Sequence, residues 1–323
     1  MTNFRNFTVI DHCQFDAHDI GSGTHPESPD RLGVIRSRLK GSILKDFITQ
    51  VEASTVDRDI FLAVHDDAYL YRFEEAALSG NLDIDHSDNQ ICYESFDVAM
   101  LSASAGVNAI DLIESNRAKT VYCNIRPPGH HAERKAALGF CFLNNSLVAA
   151  RYWQKKYQKR VFVIDWDAHH GNGIQSGVES DPDIFYVSIH EHPTFSFPGT
   201  GYAEEVGVGE GKGTILNIPL PPGATDEMVI RALNEKVAPA LKKFKPEAIV
   251  VAAGFDGHQL DDMSALCYST NLYAQLGVYM NVWAQQYCGG RIVSILEGGY
   301  HLQALAASVE AYLAGLSAID TNK

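Results

Sequence analysis

The sequence predicts an α/β fold in which a mainly parallel sheet lies between two layers of helices. Short runs rich in β-branched and aromatic residues have the composition of buried strands; they occupy residues 7–11, 120–124, 161–165, 184–189, 248–253 and 291–296. Segments with helical spacing of apolar residues lie between most of these runs, at residues 98–114, 145–157, 227–243 and 270–286. Strands that alternate with helices are typical of a parallel sheet covered on both faces, which gives a three-layer α/β/α architecture.

Length and composition favour one domain over residues 1–323. Of the 323 residues, 46% are hydrophobic, which is enough for one large core. The sequence contains no linker-like segment and no internal repeat. We expect no membrane span, because no run approaches about 18 apolar residues. The net charge of −14 argues against a nucleic-acid partner and mildly favours cationic ligands. Six scattered cysteines without a CxxC pair, and no signal-peptide pattern, predict a cytoplasmic location.

Chemically unusual residues follow four of the predicted strands directly. In sheets of this kind, ligand sites form in the crevice beyond the carboxyl ends of the strands. The four segments rich in histidine, acidic residues or glycine lie at residues 126–131, 165–170, 254–256 and 297–300. We therefore expect the functional site at this edge of the sheet.

Asp167, His169 and Asp256 predict a metal site with one open side. The Asp-x-His spacing in an extended chain places both side chains on one face, and Asp256 follows a neighbouring strand. Each residue alone also fits a structural role, as a helix cap or an interior histidine. Three mixed oxygen and nitrogen ligands on adjacent strand ends instead favour a catalytic zinc, which keeps a position free for substrate.

His130 and His131 are candidates for proton transfer. They follow two prolines and a glycine at 127–129, which predict a preset loop. A hydrolase that activates water needs a base for the water and an acid for the leaving amine, and histidine changes charge nearest neutral pH. Asp165 and Asn172 are candidates to hold the far ring nitrogens, and an Asp partner would keep its histidine more basic than an Asn partner.

Tyr300, which follows two glycines, is a candidate to polarise a substrate carbonyl opposite the metal. Taken alone, a tyrosine in this setting also fits simple packing.

Taken together, these motifs resemble the zinc-dependent histone deacetylase family, including its class II-like bacterial members, the acetylpolyamine amidohydrolases and the acetoin-utilisation proteins. The matching segments occur in order at residues 25–32 (HPESPDRL), 126–132 (RPPGHHA), 138–145 (LGFCFLNN), 165–173 (DWDAHHGNG), 197–201 (FPGTG), 253–256 (AGFD) and 297–300 (EGGY). The resemblance implies the arginase/deacetylase-like fold. Asn172 stands where the nuclear members have Asp, and the DWD segment also resembles the second class.

The resemblance also implies roles for individual residues. Asp167, His169 and Asp256 would bind zinc, His130 and His131 would be the acid/base pair backed by Asp165 and Asn172, and Tyr300 would polarise the acyl carbonyl. Gly139 and Phe140 would line a narrow tunnel, faced by an aromatic residue for which Phe197 is a candidate. Arg31 would lie near the inner cavity from which acetate departs. A structural potassium ion would involve Asp165, Ser188 and the backbone around Asp167 and His169.

Two regions of the tunnel entrance depart from the family pattern or match it poorly. Residues 257–262, which follow the third metal ligand, would shape the rim, and Asp88 or Asn89 would supply a group that accepts hydrogen bonds from a peptide backbone. Residues 84–93 are the one segment with room to restrict the entrance.

The expected function is hydrolysis of N-acetyl-lysine in a protein or peptide, sensitive to hydroxamate inhibitors, with an acetylpolyamine or another small acyl amide as the alternative substrate. A ureohydrolase with two manganese ions would need further carboxylates where Gly171 and His258 stand. A binding module that holds an acylated lysine without turnover is the alternative from another class; intact catalytic positions argue against it.

Overall fold

The computed structural model describes residues 6–21 and 25–318. Its strands are β1 (Phe7–Asp11), β2 (Ile48–Glu52), β3 (Asp83–Ile84), β4 (His86–Gln90), β5 (Thr120–Cys123), β6 (Val161–Asp165), β7 (Ile184–Glu191), β8 (Ile215–Leu220), β9 (Ala248–Ala253) and β10 (Ile292–Leu296). Its α-helices are α1 (Asp30–Gly41), α2 (Asp67–Leu78), α3 (Ser95–Glu114), α4 (Asn145–Tyr157), α5 (Asn172–Val178), α6 (Asp226–Ala232), α7 (Ala238–Phe244), α8 (Thr270–Cys288) and α9 (Leu302–Ser317). Short 3-10 helices span Cys13–Ala17, Ile43–Phe47, Arg58–Ala63 and Gly209–Gly211.

Eight strands form one sheet in the order β2-β1-β5-β10-β9-β6-β7-β8, and every neighbouring pair is parallel. The predicted fold class is therefore confirmed, with a sheet that is wholly parallel within the described residues. Strands β3 and β4 form a separate antiparallel hairpin. All six predicted strands are present. The buried residues form one hydrophobic core cluster, whereas a single domain over residues 1–323 stays a prediction.

Helices cover both faces of this sheet. Side chains on a strand alternate between faces, so Ser294 and Ile295 of β10 point in opposite directions. Ser294 hydrogen-bonds through Oγ to the hydroxyl of Tyr312 in α9, while Ile295 packs near Gly106 in α3. Helix α9 packs against α1 and α8 on its face, and α3 packs against α4 on the other.

Helix α3 is the one described helix that is long and apolar enough to cross a membrane, with a mean hydropathy of 1.4 over its most apolar window. Core helices share these properties, and 72% of that window is buried inside the fold. Its small residues, such as Gly106, let it approach α4 closely. Its burial explains its composition as that of a core helix.

The predicted helix at 227–243 is divided in the structure. A π-helical turn at Leu233–Val237 joins α6 to α7. Apolar spacing indicated one helix, because a single π turn changes the angular position of later residues without interrupting the run.

Candidate functional site

The four strands whose ends carry the unusual residues are neighbours in the sheet, in the order β5-β10-β9-β6. All four run parallel, so their carboxyl ends meet at one edge. The loops at 126–131, 165–170, 254–256 and 297–300 therefore come together, as the sequence predicts.

Asp167, His169 and Asp256 converge on one point at this edge. His169 Nδ1 lies 3.1 Å from Asp167 Oδ1 and 3.1 Å from Asp256 Oδ2, and all three donor atoms lie within 4.8 Å of one another. The other ring nitrogen of His169, Nε2, lies 3.1 Å from the carbonyl oxygen of Met263, which can only accept a hydrogen bond. In neutral His169 the proton is therefore on Nε2, and the Nδ1 lone pair faces the two carboxylates.

This arrangement fits a divalent metal ion. Burial and the nearby Asp167 raise the pKa of Asp256 to about 7, which reflects two carboxylates crowded together. Burial alone would lower the pKa of His169, but the two carboxylates outweigh it and raise the pKa. A cation bound between the three side chains would relieve this excess of negative charge.

Two glycines leave space for the three candidate ligands. A Cβ at Gly298 would lie 2.5 Å from Asp167 Oδ2, and one at Gly254 would also overlap Asp167. The Gly298 backbone N–H instead donates to Asp167 Oδ2 at 2.8 Å, and that of Ala168 donates to Asp256 Oδ1 at 2.8 Å. The backbone thus holds both oxygens of Asp167, since the His169 N–H also donates to Oδ1 at 3.0 Å, and it orients the two carboxylates toward His169 Nδ1.

The tandem histidines lie beside this point with different partners. His130 Nδ1 is 3.1 Å from Asp165 Oδ2, and His130 Nε2 is 3.7 Å from Asp167 Oδ1. Burial would lower the pKa of His130, but Asp167 and Asp165 outweigh burial and raise it to about 10. His131 Nδ1 is 2.8 Å from Asn172 Oδ1, and burial together with His130 lowers the pKa of His131 well below its usual value. The two rings, 3.9 Å apart, therefore favour opposite charge states.

Glu297 supports the histidine loop, a role that the sequence did not indicate. Its Oε2 accepts the backbone N–H groups of Gly129 at 2.6 Å and His130 at 3.0 Å, and its Oε1 accepts the Ser146 hydroxyl at 2.7 Å. Burial raises the pKa of Glu297 to about 7. The strand-end position of Glu297 was visible in the sequence, but its partners lie far away along the chain.

Tyr300 lines the same cavity from the opposite loop. Its ring lies under the guanidinium of Arg31, 4.8 Å from the ring centre, and makes an edge contact with Phe140 at 5.8 Å. Burial raises the pKa of Tyr300 well above its usual value, so the phenol stays protonated. Asp261 Oδ2 accepts the backbone N–H groups of Tyr300 at 2.6 Å and His301 at 2.9 Å.

Arg31 is fully buried behind Tyr300 and is held in place by fixed acceptors. It donates to the carbonyl oxygens of Gly299, at 2.7 Å, and of Glu297, and it forms an ion pair with Glu27 at 3.1 Å. Arg126 donates two further hydrogen bonds to Glu27, at 2.9 and 2.6 Å. Arg31 therefore lies next to the candidate site, and its role near an inner cavity from which acetate departs stays a prediction.

A cavity of about 200 Å³ leads to the metal-site residues. Its lining combines the candidate catalytic groups with apolar walls: Asp88, Pro128, His130, His131, Gly139, Phe140, Asp167, His169, Phe197, Met263 and Tyr300. Gly139 has a φ of +55°, and a Cβ there would lie 2.6 Å from His131 Cδ2 and 2.9 Å from Phe197 Cε1. The cavity wall is therefore tight, and Phe197 lies on it against Gly139, while its role as the facing aromatic residue stays a prediction.

The two candidates for the rim group have different environments. Asn89 is fully buried and its Oδ1 accepts the backbone N–H of Phe140 at 2.9 Å, so it holds the tunnel loop. Asp88, on the β3–β4 hairpin, is partly exposed and lines the cavity. Asp88 is therefore the one of the pair that a bound substrate can reach.

The structure also shows the surroundings of the residues considered for a potassium ion and for a second metal ion. Ser188 is buried on β7, where it pairs in register with Asp165 of β6. Gly171 has no room for a larger side chain, since a Cβ there would overlap Asp165. Both ring nitrogens of His258 are engaged, with Thr270 Oγ1 and the Leu260 backbone N–H, each at 3.1 Å. Neither position offers the carboxylate that a two-manganese site needs.

A larger open groove of about 980 Å³ lies along β1, β2 and α1 and includes none of the candidate site residues. Its Arg36 is already paired with Asp11 and Asp16. The candidate catalytic residues therefore line the smaller cavity and not this groove.

Comparisons with known proteins agree with this geometry. Residues 25–316 match the histone deacetylase domain. A probable deacetylase of Archaeoglobus fulgidus is 34% identical over 297 residues, covering 91% of this chain and 81% of that protein. The polyamine deacetylase HDAC10 of Homo sapiens is 33% identical over 293 residues, covering 88% of this chain and 43% of that protein. The crystal structure of the HDA15 HD domain matches with a TM-score of 0.88 and 30% identity, covering 97% of this chain and 88% of that one. The chain belongs to the histone deacetylase family.

Proposed function

We propose that the chain is a zinc-dependent deacetylase that hydrolyses the amide of N-acetyl-lysine in a protein or peptide. The observation that carries this proposal is the convergence of three groups at the cavity: the Asp167, His169 and Asp256 cluster, the tandem histidines and Tyr300. A narrow apolar cavity suits the alkyl chain of an acylated lysine, and the reactive groups lie where its amide would arrive.

Asp167, His169 and Asp256 would hold the zinc ion. Two carboxylates and one imidazole are a donor set that zinc accepts, and three protein ligands leave a position for substrate. When bound, the ion would act as a Lewis acid toward the acyl carbonyl and the attacking water. The absence of carboxylates at Gly171 and His258 supports one metal ion rather than two.

His131 is assigned the proton transfers. Asn172 Oδ1 accepts from His131 Nδ1, so the lone pair of a neutral His131 is on Nε2, and the ring lines the cavity. Nε2 takes a proton from water as the water oxygen attacks the acyl carbon. The same proton then passes to the amine nitrogen as the C–N bond breaks, releasing acetate and the free amine.

His130 and Tyr300 stabilise the negative charge that develops during the attack. His130 Nδ1 lies 3.1 Å from Asp165 Oδ2, and this carboxylate favours the imidazolium form, which places positive charge beside the reacting centre. Tyr300 remains a phenol and donates a hydrogen bond to the carbonyl oxygen as that oxygen becomes anionic.

A structural potassium ion is proposed beside Asp165. Asp165 and Ser188 are both buried and face one another in register on β6 and β7. With the backbone carbonyls around Asp167 and His169, they offer the oxygen ligands that such a cation prefers.

Acetyl-lysine is favoured over a polyamine because exposed apolar side chains lie close in sequence to residues that line the cavity. Phe195 and Leu260 are 66% and 57% exposed, and each lies close in sequence to a residue of the cavity wall, Phe197 or Met263. Such side chains suit a polypeptide better than a polycation. The polyamine alternative is favoured by Asp88 at the cavity, by the net charge of −14 and by the named activity of the human relative.

The test compares an acetyl-lysine peptide with acetylspermidine, using zinc-loaded protein with and without a hydroxamate. Hydroxamate-sensitive acetate release from the peptide is expected. Acetate release from acetylspermidine but not from the peptide would identify an acetylpolyamine, not acetyl-lysine, as the substrate. Tight hydroxamate binding without release from either would point to a binding module or to another acyl group.

A further inference from the structure

Glu133 lies at the end of a hydrogen-bonded chain that begins at the proposed base. His131 Nδ1 donates to Asn172 Oδ1 at 2.8 Å, and Asn172 Nδ2 donates to Glu133 Oε1 at 2.9 Å. We propose that Glu133 is a positioning residue, which fixes the orientation of the Asn172 amide and thereby the tautomer of His131. This inference rests on the proposed function of His131.

The Asn172 amide has two chemically different ends, so its orientation matters. Its Nδ2 faces two acceptors, the Glu133 carboxylate and the more distant carbonyl oxygen of His131 at 3.4 Å. A rotated amide would place Oδ1 against that carboxylate, where two acceptors repel, and would place Nδ2 against His131 Nδ1. A hydrogen bond to a carboxylate is among the strong ones, so Glu133 decides the orientation.

The orientation determines which nitrogen of His131 can accept a proton. With Oδ1 toward the ring, Nδ1 carries the hydrogen and Nε2 keeps its lone pair. With Nδ2 toward the ring, Nδ1 would have to accept, and the hydrogen would move to Nε2. His131 in that form cannot take a proton from water at Nε2.

His130 needs no such support. Its partner Asp165 is a carboxylate with two equivalent oxygens, so no rotation of the group can reverse its role as acceptor. The need for Glu133 is thus a consequence of having Asn rather than Asp at position 172.

Glu133 is well placed for a clean test, because its side chain is exposed while its backbone is fixed. Its backbone N–H donates to the Ala136 carbonyl at 2.9 Å, and its carbonyl accepts from His65 Nδ1 at 3.0 Å. Truncation of the side chain leaves both contacts, so we expect Glu133→Ala to fold as the wild type does.

The kinetic test is a double-mutant cycle of Glu133→Ala and Asn172→Asp. Glu133→Ala alone is expected to lower kcat about tenfold or more, by analogy with the loss of a partner behind a metal ligand, which costs about 10- to 100-fold, with KM little changed. In the Asn172→Asp background, Glu133→Ala should leave kcat unchanged or raise it. The introduced carboxylate has no N–H to donate, and the negative charge of Glu133 repels it. Glu235→Ala removes the same charge from an exposed helical position and serves as the control.

A spectroscopic test keeps this inference separate from the proposed activity. Ring ¹⁵N shifts of His131 in histidine-labelled protein, assigned with His131→Gln, report its tautomer without turnover. The wild type should show hydrogen on Nδ1, and Glu133→Ala should show a mixture. An unchanged tautomer in Glu133→Ala, or equal losses of kcat in both backgrounds of the cycle, would overturn the role of Glu133. Absence of wild-type turnover with the expected shift in tautomer would instead overturn the proposed function alone.

Discussion

The carboxylate of Glu297 accepts the backbone N–H of His130, with 3.0 Å between oxygen and nitrogen. The same oxygen accepts the Gly129 N–H, and the following residue, Gly298, donates its own N–H to Asp167. One short segment of chain therefore connects the histidine loop, a candidate metal ligand and, three residues after Glu297, Tyr300. The position of the histidine loop relative to Asp167 and Tyr300 therefore depends on Glu297.

Glu297→Gln is expected to retain folding and most activity, whereas Glu297→Leu is not. Glutamine can still accept both loop N–H groups with Oε1 and donate to the Ser146 hydroxyl. Leucine leaves two buried N–H groups without an acceptor, at a cost of about 1–3 kcal/mol each. Chemical denaturation and kcat of the two variants test this difference. Equal stability of the leucine and glutamine variants would contradict the role given to Glu297.

Tyr300→Phe is expected to lower kcat by about 100- to 1,000-fold, as loss of one oxyanion donor does elsewhere, with a small change in KM. The phenyl ring keeps the contacts with Arg31 and Phe140, so the thermal unfolding temperature should hold. Steady-state kinetics on the acetyl-lysine peptide measure the effect. Unchanged kcat would remove Tyr300 from the mechanism.

Asp261→Ala is expected to lower kcat about tenfold or more, because Asp261 fixes the backbone of Tyr300 and loss of such a supporting partner costs about 10- to 100-fold. The neighbouring Asp262 is exposed, and Asp262→Ala is the matched control. If both variants lose the same activity, charge at the rim rather than the position of Tyr300 is responsible.

Gly139→Ala is expected to impair substrate binding and turnover. The added methyl would lie 2.6 Å from His131 Cδ2 at a residue whose φ is already +55°. Gly213→Ala imposes the same kind of backbone strain at a φ of +92° but meets nothing within 4 Å. A loss of activity in Gly139→Ala that Gly213→Ala also shows would assign the effect to strain instead of cavity shape.

Stability is expected to fall as pH decreases from about 6.5 toward 4. Burial lowers the pKa of His65 to about 4, although its hydrogen bond to the Glu133 carbonyl opposes the shift. Neutral His65 Nε2 accepts the Asn144 N–H at 2.9 Å, and a protonated ring cannot. Between about pH 6.5 and 4, the unfolded chain binds a proton on His65 that the folded chain does not. The contribution of neutral His65 to the free energy of unfolding is therefore complete above pH 6.5 and is lost as the pH falls toward 4.

Thermal unfolding of the wild type and His65→Gln across pH 4–7 measures this contribution. The variant should lose less stability on acidification than the wild type. Identical slopes would show that His65 does not contribute. Burial also lowers the pKa of His18 to about 4, so both proteins are expected to retain some loss of stability on acidification.

The central strands and the strand-end residues were predictable, whereas the sheet edges were not. Strands β6 and β9 are buried throughout, and their continuous apolar runs identify them. The edge strand β2 is partly exposed and carries polar residues, and β8 contains Asn217 and Pro219. Such strands lack both the apolar run and a clear alternation.

Residues that support the site were harder to predict than those that line it. Asp167 and His169 share a local spacing, so their proximity follows from the geometry of an extended chain. Glu297 acts on His130 across 167 positions of sequence, and Asp261 acts on Tyr300 across 39. Hydrogen bonds to a distant backbone leave no periodic pattern. The roles assigned to the candidate site residues therefore stay predictions until they are measured.

The decisive measurement is acetate release from an acetyl-lysine peptide by the zinc-loaded wild type and by Asp167→Asn. We expect one zinc ion per wild-type chain and catalytic release of acetate, and we expect Asp167→Asn to lose both. A wild-type protein that holds one zinc ion and releases no acetate from the peptide, or a variant as active as the wild type, would contradict the proposed function.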